Sequence, residues 1–275
     1  MPELPEVETI ARFLREGGRG QASILSAQVE RVHLLWPGTL ATPLAPAELQ
    51  ARLAGQVIEG IGRRGKFLRL ELNRDTVLFH LRMSGDLLVG PAKEAETAHV
   101  RFSMDFSDRR RLAFDDTRKF GRVWITSDPE QVTAGLGPEP LGSEFTPVWL
   151  YAELRARRRQ VKPLLLDQGF IAGLGNIYTD EALHRARIHP LRLSSSIHAE
   201  EAEALWQAIR ETLLEGIDRQ GASIDWVYRG GEFQNYFRAY QRTGEPCPRC
   251  GTPITRILVG QRGTHYCPAC QVLLP

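Results

Sequence analysis

Residues 56–83 read QVIEGIGRRGKFLRLELNRDTVLFHLRM. Apolar residues alternate through FLRLEL, and the runs on either side are short and rich in Val, Ile, Leu and Phe. NRD at Asn73 supplies a turn, and Lys66 lies between two of the runs. Alternation with a period of two, broken by turn formers, predicts strands rather than a helix. Working outward, the same texture extends from about Ile24 to Thr126. QVERVHLL precedes the quoted stretch; HVRFSMDF, RRLAFDD and GRVWIT follow it, with SDRR at Ser107 as another turn. Many short strands at regular spacing predict a β-sandwich or a barrel.

Helical periodicity brackets this region. Val7, Ile10, Ala11 and Leu14 predict a short amphipathic helix over Pro5–Leu14, and helical patterns return after Pro147. Ala202, Leu205, Ile209, Leu213 and Ile217 share one face of a helix over Ala199–Ile217. GLGNIYTDEALHRARI runs helical from about Ile177, which puts Asn176 at or near an N-cap. Free backbone N–H groups there suit an anion, although a plain cap is the simpler reading. GLGPEPLGSEFTP places the linker within 130–147.

A chain of 275 residues is comfortable as two domains. With 42% apolar and 25% charged residues it is neither disordered, collagen-like nor a coiled coil. No stretch approaches the roughly 18 apolar residues of a membrane helix, and MPELPEVE has no secretory character. The expectation is a cytoplasmic protein with no membrane partner. Net charge is only +2, yet Tyr228 to Pro275 holds six arginines against two glutamates. Such a tail is a local phosphate patch or a solvated arginine-rich surface.

All four cysteines fall in Cys247-x-x-Cys250 and Cys267-x-x-Cys270, separated by sixteen residues. Two such knuckles bring four thiolates within tetrahedral reach of one zinc ion, a structural site with no position left for water. Disulfides are the alternative, and a cytoplasmic location disfavours them. The intervening residues predict a β-hairpin with Gly260-Gln261-Arg262-Gly263 at its tip, holding Arg262 outward.

At the other end, removal of Met1 before a small residue leaves Pro2 first. An α-amino group with a pKa of about 7.7–8.0 is partly unprotonated at neutral pH. A secondary amine attacks electrophilic carbon to give an iminium with no N–H proton left to lose. Beside the Glu3 carboxylic acid it forms a covalent-catalysis pair, though most chains beginning Met-Pro-Glu do no such chemistry.

MPELPEVET, RRGKFLRLEL around Lys66, HLRMSG around Met83, DDTRKFGR around Phe120, GLGNIY around Asn176, and CPRCGTPI with GQRGTHYCPACQ together resemble the formamidopyrimidine-DNA glycosylase family. They stand in the family's order and span nearly the whole chain. The sister endonuclease VIII type usually has glycine where this chain has Leu4, so the opening is more similar to the formamidopyrimidine side. The resemblance implies an α+β chain of three parts: a catalytic β-sandwich flanked by helices (1–135), a helical DNA-binding domain with a helix–two-turn–helix (147–235), and a C-terminal β-hairpin zinc finger (238–275). One structural zinc ion would sit on Cys247, Cys250, Cys267 and Cys270.

The resemblance further implies a monomeric, nucleoid-associated enzyme of base-excision repair. Its substrate would be double-stranded DNA carrying oxidised purines (8-oxoguanine, formamidopyrimidines) or abasic sites. Pro2 would attack the sugar C1′ and expel the flipped base, Glu3 would protonate the opening ring, and β- and δ-elimination would cut the strand. Lys66 would contact phosphate and move protons, Arg262 would grip the phosphates flanking the lesion, and Asn176 would hold the same backbone. Extruding a base costs on the order of a few kcal/mol. Met83 and Phe120 as wedges, with Arg118 facing the orphaned base, would fill the void. Without the resemblance, Met83 and Phe120 are more often core residues, although Phe120, between charges and glycine in DDTRKFG, is less typical of a core. His99 and Arg157 match DNA contacts, although RARRR around Arg157 is otherwise a solvated basic helix face. Glu6 would lie near the pocket, with no assigned step. The stretch after Ser223 departs from the family pattern at Asp225-Trp226 and RGGEFQ, and Ala239-Tyr240-Gln241-Arg242 stands where VYGR is usual. The alternatives are a glycosylase for oxidised pyrimidines with the same active site, and a catalytically silent DNA-binding homologue.

Overall fold

The computed structural model describes residues 1–18, 22–42, 44–92, 97–223 and 230–273. One compact unit lies within Met1–Ala134 and a second begins at Gly135. The divergent stretch at 224–229, Asp225-Trp226 included, lies outside the described residues.

The first unit opens with α1 (Leu4–Glu16), where Val7, Ile10, Ala11 and Leu14 are buried as their spacing requires. Pro5 sits in the first turn, where a missing N–H breaks no intrahelical bond. The predicted runs become β1 (Val29–Leu34), β2 (Ile58–Arg64), β3 (Phe67–Leu72), β4 (Thr76–His80), β6 (Val100–Phe106), β7 (Arg110–Asp116) and β8 (Arg122–Thr126). Three elements, α2 (Pro46–Leu53), β5 (Gly85–Pro91) and α3 (Pro129–Thr133), are additions to the sequence reading. β5 reads GDLLVGP, whose terminal Gly and Pro resemble turns, yet Gly85, Leu87 and Val89 alternate inward.

The strands form two four-stranded antiparallel sheets, ordered β1-β6-β7-β5 and β2-β3-β4-β8. Phe79 of the second sheet packs edge-on against Phe102 and Phe114 of the first, with ring centroids 5.9 and 5.6 Å apart. Of the two all-β options, this is the sandwich. Each fully buried phenylalanine contributes roughly 1.5–3 kcal/mol, and α1 adds its apolar face to the same core.

The second unit contains α4 (Pro147–Arg155), α5 (Val161–Leu165), α6 (Asn176–Ala186) and α7 (Ala199–Asp218); α3 (Pro129–Thr133) closes the first unit. α4 starts where Thr146 Oγ1 accepts the Trp149 N–H at 3.1 Å, an N-cap. α7 buries the five residues its pattern named. The chain ends in an antiparallel hairpin, β9 (Thr255–Val259) and β10 (Arg262–Tyr266). Gly260 and Gln261 have φ of +55° and +62°, the two positive values of a type I′ turn. The tip is therefore two residues rather than four, and Arg262 opens β10, paired with Val259. Among the described residues, no helix is long and apolar enough to cross a membrane.

Candidate functional site

Pro2, Glu3, Glu6 and Lys66 are all buried. Glu3 is the N-cap of α1, and a reciprocal box forms there. The Glu3 N–H donates to Glu6 Oε2 at 2.8 Å, and the Glu6 N–H is returned to the Glu3 carboxylate. Pro2 thus stands at the positive end of the helix dipole. α1 packs on β2 and β3 with a defined direction. Glu8 pairs with Arg63 at 3.0 Å, whereas Arg15, a further two turns along, donates to the Ile61 carbonyl at 3.0 Å. The helix runs opposite to β2, so its first residues point toward the β2–β3 turn. That turn is Gly65-Lys66, with Gly65 at φ +55°, a positive φ at the first central position of a two-residue hairpin loop.

Lys66 is 4% exposed, which excludes a turn lysine standing in solvent. Its charge is felt by His80, opposite Phe67 in β4. Burial first, then the charges of Arg82 and Lys66, push the His80 pKa down to about 3. His80 Nδ1 accepts the Arg82 N–H at 3.2 Å, so the neutral ring carries its proton on Nε2.

Met83 (40% exposed) and Phe120 (50%) are surface residues, not core. One buried carboxylate organises the loops that carry them. Asp116 Oδ1 accepts from the Ser84 hydroxyl and from the Arg118 N–H (3.2 Å), and Oδ2 accepts from the Gly121 N–H (2.7 Å). Ser84 Oγ also receives the Arg118 N–H at 3.2 Å. Met83 is thereby tied beside the Arg118–Phe120 turn, where the Arg118 guanidinium lies over the Phe120 ring at 5.0 Å. Exposed His99 joins the same cluster, its carbonyl accepting the Asp116 N–H at 2.9 Å.

In the second unit Asn176 is the first residue of α6, with Gly175 as N-cap, so it does not itself cap the helix. Its Nδ2 donates to the Gly263 carbonyl at 3.0 Å, and its buried Oδ1 has no partner among the described residues. Gly263 follows Arg262, so this bond fixes Asn176 beside that arginine. Arg262 is exposed. The strand that carries it is anchored from beneath by Lys162, which is 0% exposed. Lys162 Nζ donates to Asp180 Oδ1 (2.6 Å), Thr264 Oγ1 (2.7 Å) and the Gly263 carbonyl (3.2 Å). Asp180 Oδ2 in turn accepts the His265 N–H at 2.8 Å. Fully buried Glu181 accepts three backbone N–H groups from Arg238, Ala239 and Tyr240 at 2.8, 2.9 and 2.7 Å. Burial pushes its pKa up against those donors. Arg157 stands apart from this cluster. It lies beyond the end of α4, not on a helix face. There it donates back to the Glu153 carbonyl at 3.0 Å and covers Phe170 at 5.2 Å.

Lys162, Asp180, Glu181, His184 and Asp116 were not singled out by the sequence reading. Their signal is faint: Asp180 and His184 stand four residues apart in α6, Asp116 belongs to an aspartate pair before TRKFG, and Lys162 and Glu181 carry no local mark.

The four cysteine sulfurs lie within 4.8 Å of one another. Zn–S bonds of about 2.3 Å in a tetrahedron require S···S separations of this order, so the donor set fits zinc. Cys267 Sγ also accepts the Cys270 N–H at 3.4 Å.

Fold and site define a two-unit protein: a β-sandwich with a buried proline at position 2, and a helical unit carrying a four-cysteine zinc finger. The chain belongs to the formamidopyrimidine-DNA glycosylase family. Residues 1–123 match the model of that family's N-terminal domain, 136–227 its H2TH domain, and 244–272 the zinc finger found in FPG and IleRS. The formamidopyrimidine-DNA glycosylase of Chloroflexus aurantiacus is 47% identical, over 100% of this chain and 99% of its own. That of Geobacillus kaustophilus is 42% identical, over 98% and 100%. Among solved structures, Lactococcus lactis Fpg (MutM) with N7-benzyl-Fapy-dG DNA superimposes with a TM-score of 0.90 at 35% identity, covering 98% of this chain and 100% of that one. The Lactococcus protein with DNA containing an oxidised pyrimidine gives 0.89 at the same identity and coverage.

Proposed function

We propose that this protein is a bifunctional DNA glycosylase and abasic-site lyase of base-excision repair, acting on duplex DNA with oxidised purines. One observation carries the reading: Pro2 and Glu3 are buried together at the α1 N-terminus, at the same end of the unit as buried Lys66. With Met1 removed, the Pro2 nitrogen is a secondary amine beside the positive end of a helix dipole, which disfavours its protonated form. Its lone pair bonds to the sugar C1′ as the glycosidic bond breaks, and the base leaves with that bond's electrons and takes up the proton that the Pro2 nitrogen gives up. Glu3 donates a proton to the ring oxygen as the sugar opens, giving an iminium. The iminium is the electron sink for successive β- and δ-eliminations, which leave a one-nucleotide gap with phosphates at both ends.

Lys66 moves protons and steadies the scissile phosphates as charge develops. Asn176 and Arg262, held side by side, grip the phosphates flanking the lesion. The Met83, Arg118 and Phe120 cluster fills the space the base vacates, with His99 and Arg157 on the flanking backbone. Zinc on the four cysteines supplies structure and no bond-making step. The protein acts as a monomer in the cytoplasm, at the nucleoid. A second reading, oxidised pyrimidines as the main substrate, draws on the relative that holds such DNA.

Replacing Pro2 by glycine leaves a primary amine. Base release from an 8-oxoguanine duplex should slow by at least tenfold while duplex affinity holds. Unchanged turnover removes Pro2 from the chemistry. A panel of duplexes in which thymine glycol is released faster than 8-oxoguanine favours the second reading.

A further inference from the structure

α6 meets the C-terminal zinc module along one stripe. Asn176, Asp180 and His184 are four residues apart, so they stand above one another on a single helix face. Each reaches a different part of the module: Asn176 the Gly263 carbonyl, Asp180 the His265 N–H, and His184 the Cys247 sulfur, with Nε2 3.3 Å from Sγ. The first two are bonds to the backbone of a hairpin. The third ends on a metal ligand.

A thiolate bound to a cation has lone pairs and no proton, so in this pair only the imidazole can donate. A neutral imidazole has a single N–H. Directing it from Nε2 to sulfur leaves Nδ1 a bare acceptor, and Nδ1 is a buried atom with no partner among the described residues. The ring is therefore held with one nitrogen unsatisfied while the other faces Cys247. Arg249, inside the same knuckle, donates to the His184 and Arg185 carbonyls at 3.4 and 3.3 Å, a cation at the negative end of α6. Four thiolates around Zn²⁺ carry an excess negative charge. Donors to the sulfurs offset that charge and fix the ligands' orientation.

We propose that His184 is a positioning residue of the zinc centre: its Nε2–H donates to the zinc-bound Cys247 thiolate. It thereby slows metal loss and fastens the first knuckle to the helix that begins at Asn176. The inference rests on the zinc site and not on the DNA chemistry, and its test uses no DNA.

The full-length protein is compared with His184→Phe, which keeps a ring without a donor, and His184→Gln, which restores an N–H. The Phe variant should release zinc to a chromogenic chelator about tenfold faster. With cobalt(II) in the site, its thiolate-to-cobalt charge-transfer band should move to lower energy. The Gln variant should recover most of both. Should the Phe variant fail to fold, the wild-type protein loaded with NMR-active cadmium decides. Scalar coupling between cadmium and the His184 Nε2 proton is expected, with nitrogen shifts of the Nε2–H tautomer. Zinc release and cobalt spectrum unchanged in the Phe variant, equal behaviour of the Phe and Gln variants, or an Nδ1–H tautomer without coupling overturns the proposal.

Discussion

Pro2, Glu3 and Glu6 come from five consecutive positions and are set by one helix N-terminus, with Lys66 added by one hairpin turn. The Asn176–Arg262 end of the second unit is built the other way. Its side chains are fixed by partners far off in sequence: Asn176 to Gly263, Lys162 to Asp180 and Thr264, His184 to Cys247. The contrast concerns robustness. The first end needs only its own helix and sheet. The second depends on a metal and on a buried ion pair, so a defect remote from the DNA surface should disable it while the amine end persists.

The hardest blow to that contrast is metal loss. Structural zinc binding contributes roughly 10–16 kcal/mol in small finger modules, and Cys267 is fully buried. The variant Cys267→Ser should lose zinc and weaken duplex binding by at least a hundredfold, as read by metal analysis and fluorescence anisotropy. The first unit's thermal transition should stay in place. A metal-free variant that binds DNA normally breaks the account of the second end.

Next is the ion pair. Lys162→Met leaves the Asp180 carboxylate buried without its cation, a change of about 3–5 kcal/mol where such pairs are broken from one side. Urea unfolding should show that loss in the second unit. An unaltered midpoint would mean that Asp180 is satisfied by His265 without Lys162, through the backbone N–H at 2.8 Å and the ring Nδ1 at 3.2 Å.

The first unit has its own sensitivity, to pH. His80 is held neutral, its pKa lowered from 6.5 to about 3 chiefly by burial. A histidine depressed in the folded state imposes no penalty above its unfolded pKa. As pH falls below about 6.5 the unfolded chain takes up a proton that the folded one refuses, and stability drops, by a few kcal/mol at most by pH ~4. Comparing urea midpoints at neutral pH and near pH 4.5, His80→Asn should flatten that dependence. The same slope in wild type and variant would assign the acid sensitivity elsewhere.

The smallest structural effect is expected at Phe120. Half exposed, with the Arg118 guanidinium over its ring, it can be cut to alanine with a stability change within about 0.5 kcal/mol. Excision should still slow by about tenfold, because the unstacking cost of a few kcal/mol is then borne without a wedge. Equal excision rates would leave Phe120 an incidental surface aromatic.

The same contrast governs what the sequence made legible. Period-two runs and helical stripes reflect local geometry, and they located seven strands, α1 and α7. β5 escaped because only three inward residues carry its pattern between turn-like ends. The knuckle spacing exposed the metal site for the same local reason. Asn176 was placed at the helix start, but its bond to Gly263 was not foreseeable, since nothing near residue 176 announces a hairpin 87 positions later. Lys162, Asp180 and His184 belong to that class. Each is an unremarkable polar residue in its own segment and acquires meaning only when α6 lies against the module. Exposure likewise set aside the core reading of Met83 and Phe120, which their local sequence allowed.

The proposed chemistry turns on Pro2 as the nucleophile. Borohydride trapping on a duplex with a single abasic site tests it most directly, because the substrate removes lesion preference from the question. The trapped protein, digested and read by peptide mass spectrometry, should carry the reduced sugar on Pro2, with Met1 absent. An adduct on a lysine, or tight binding with no adduct once Met1 is gone, would contradict it.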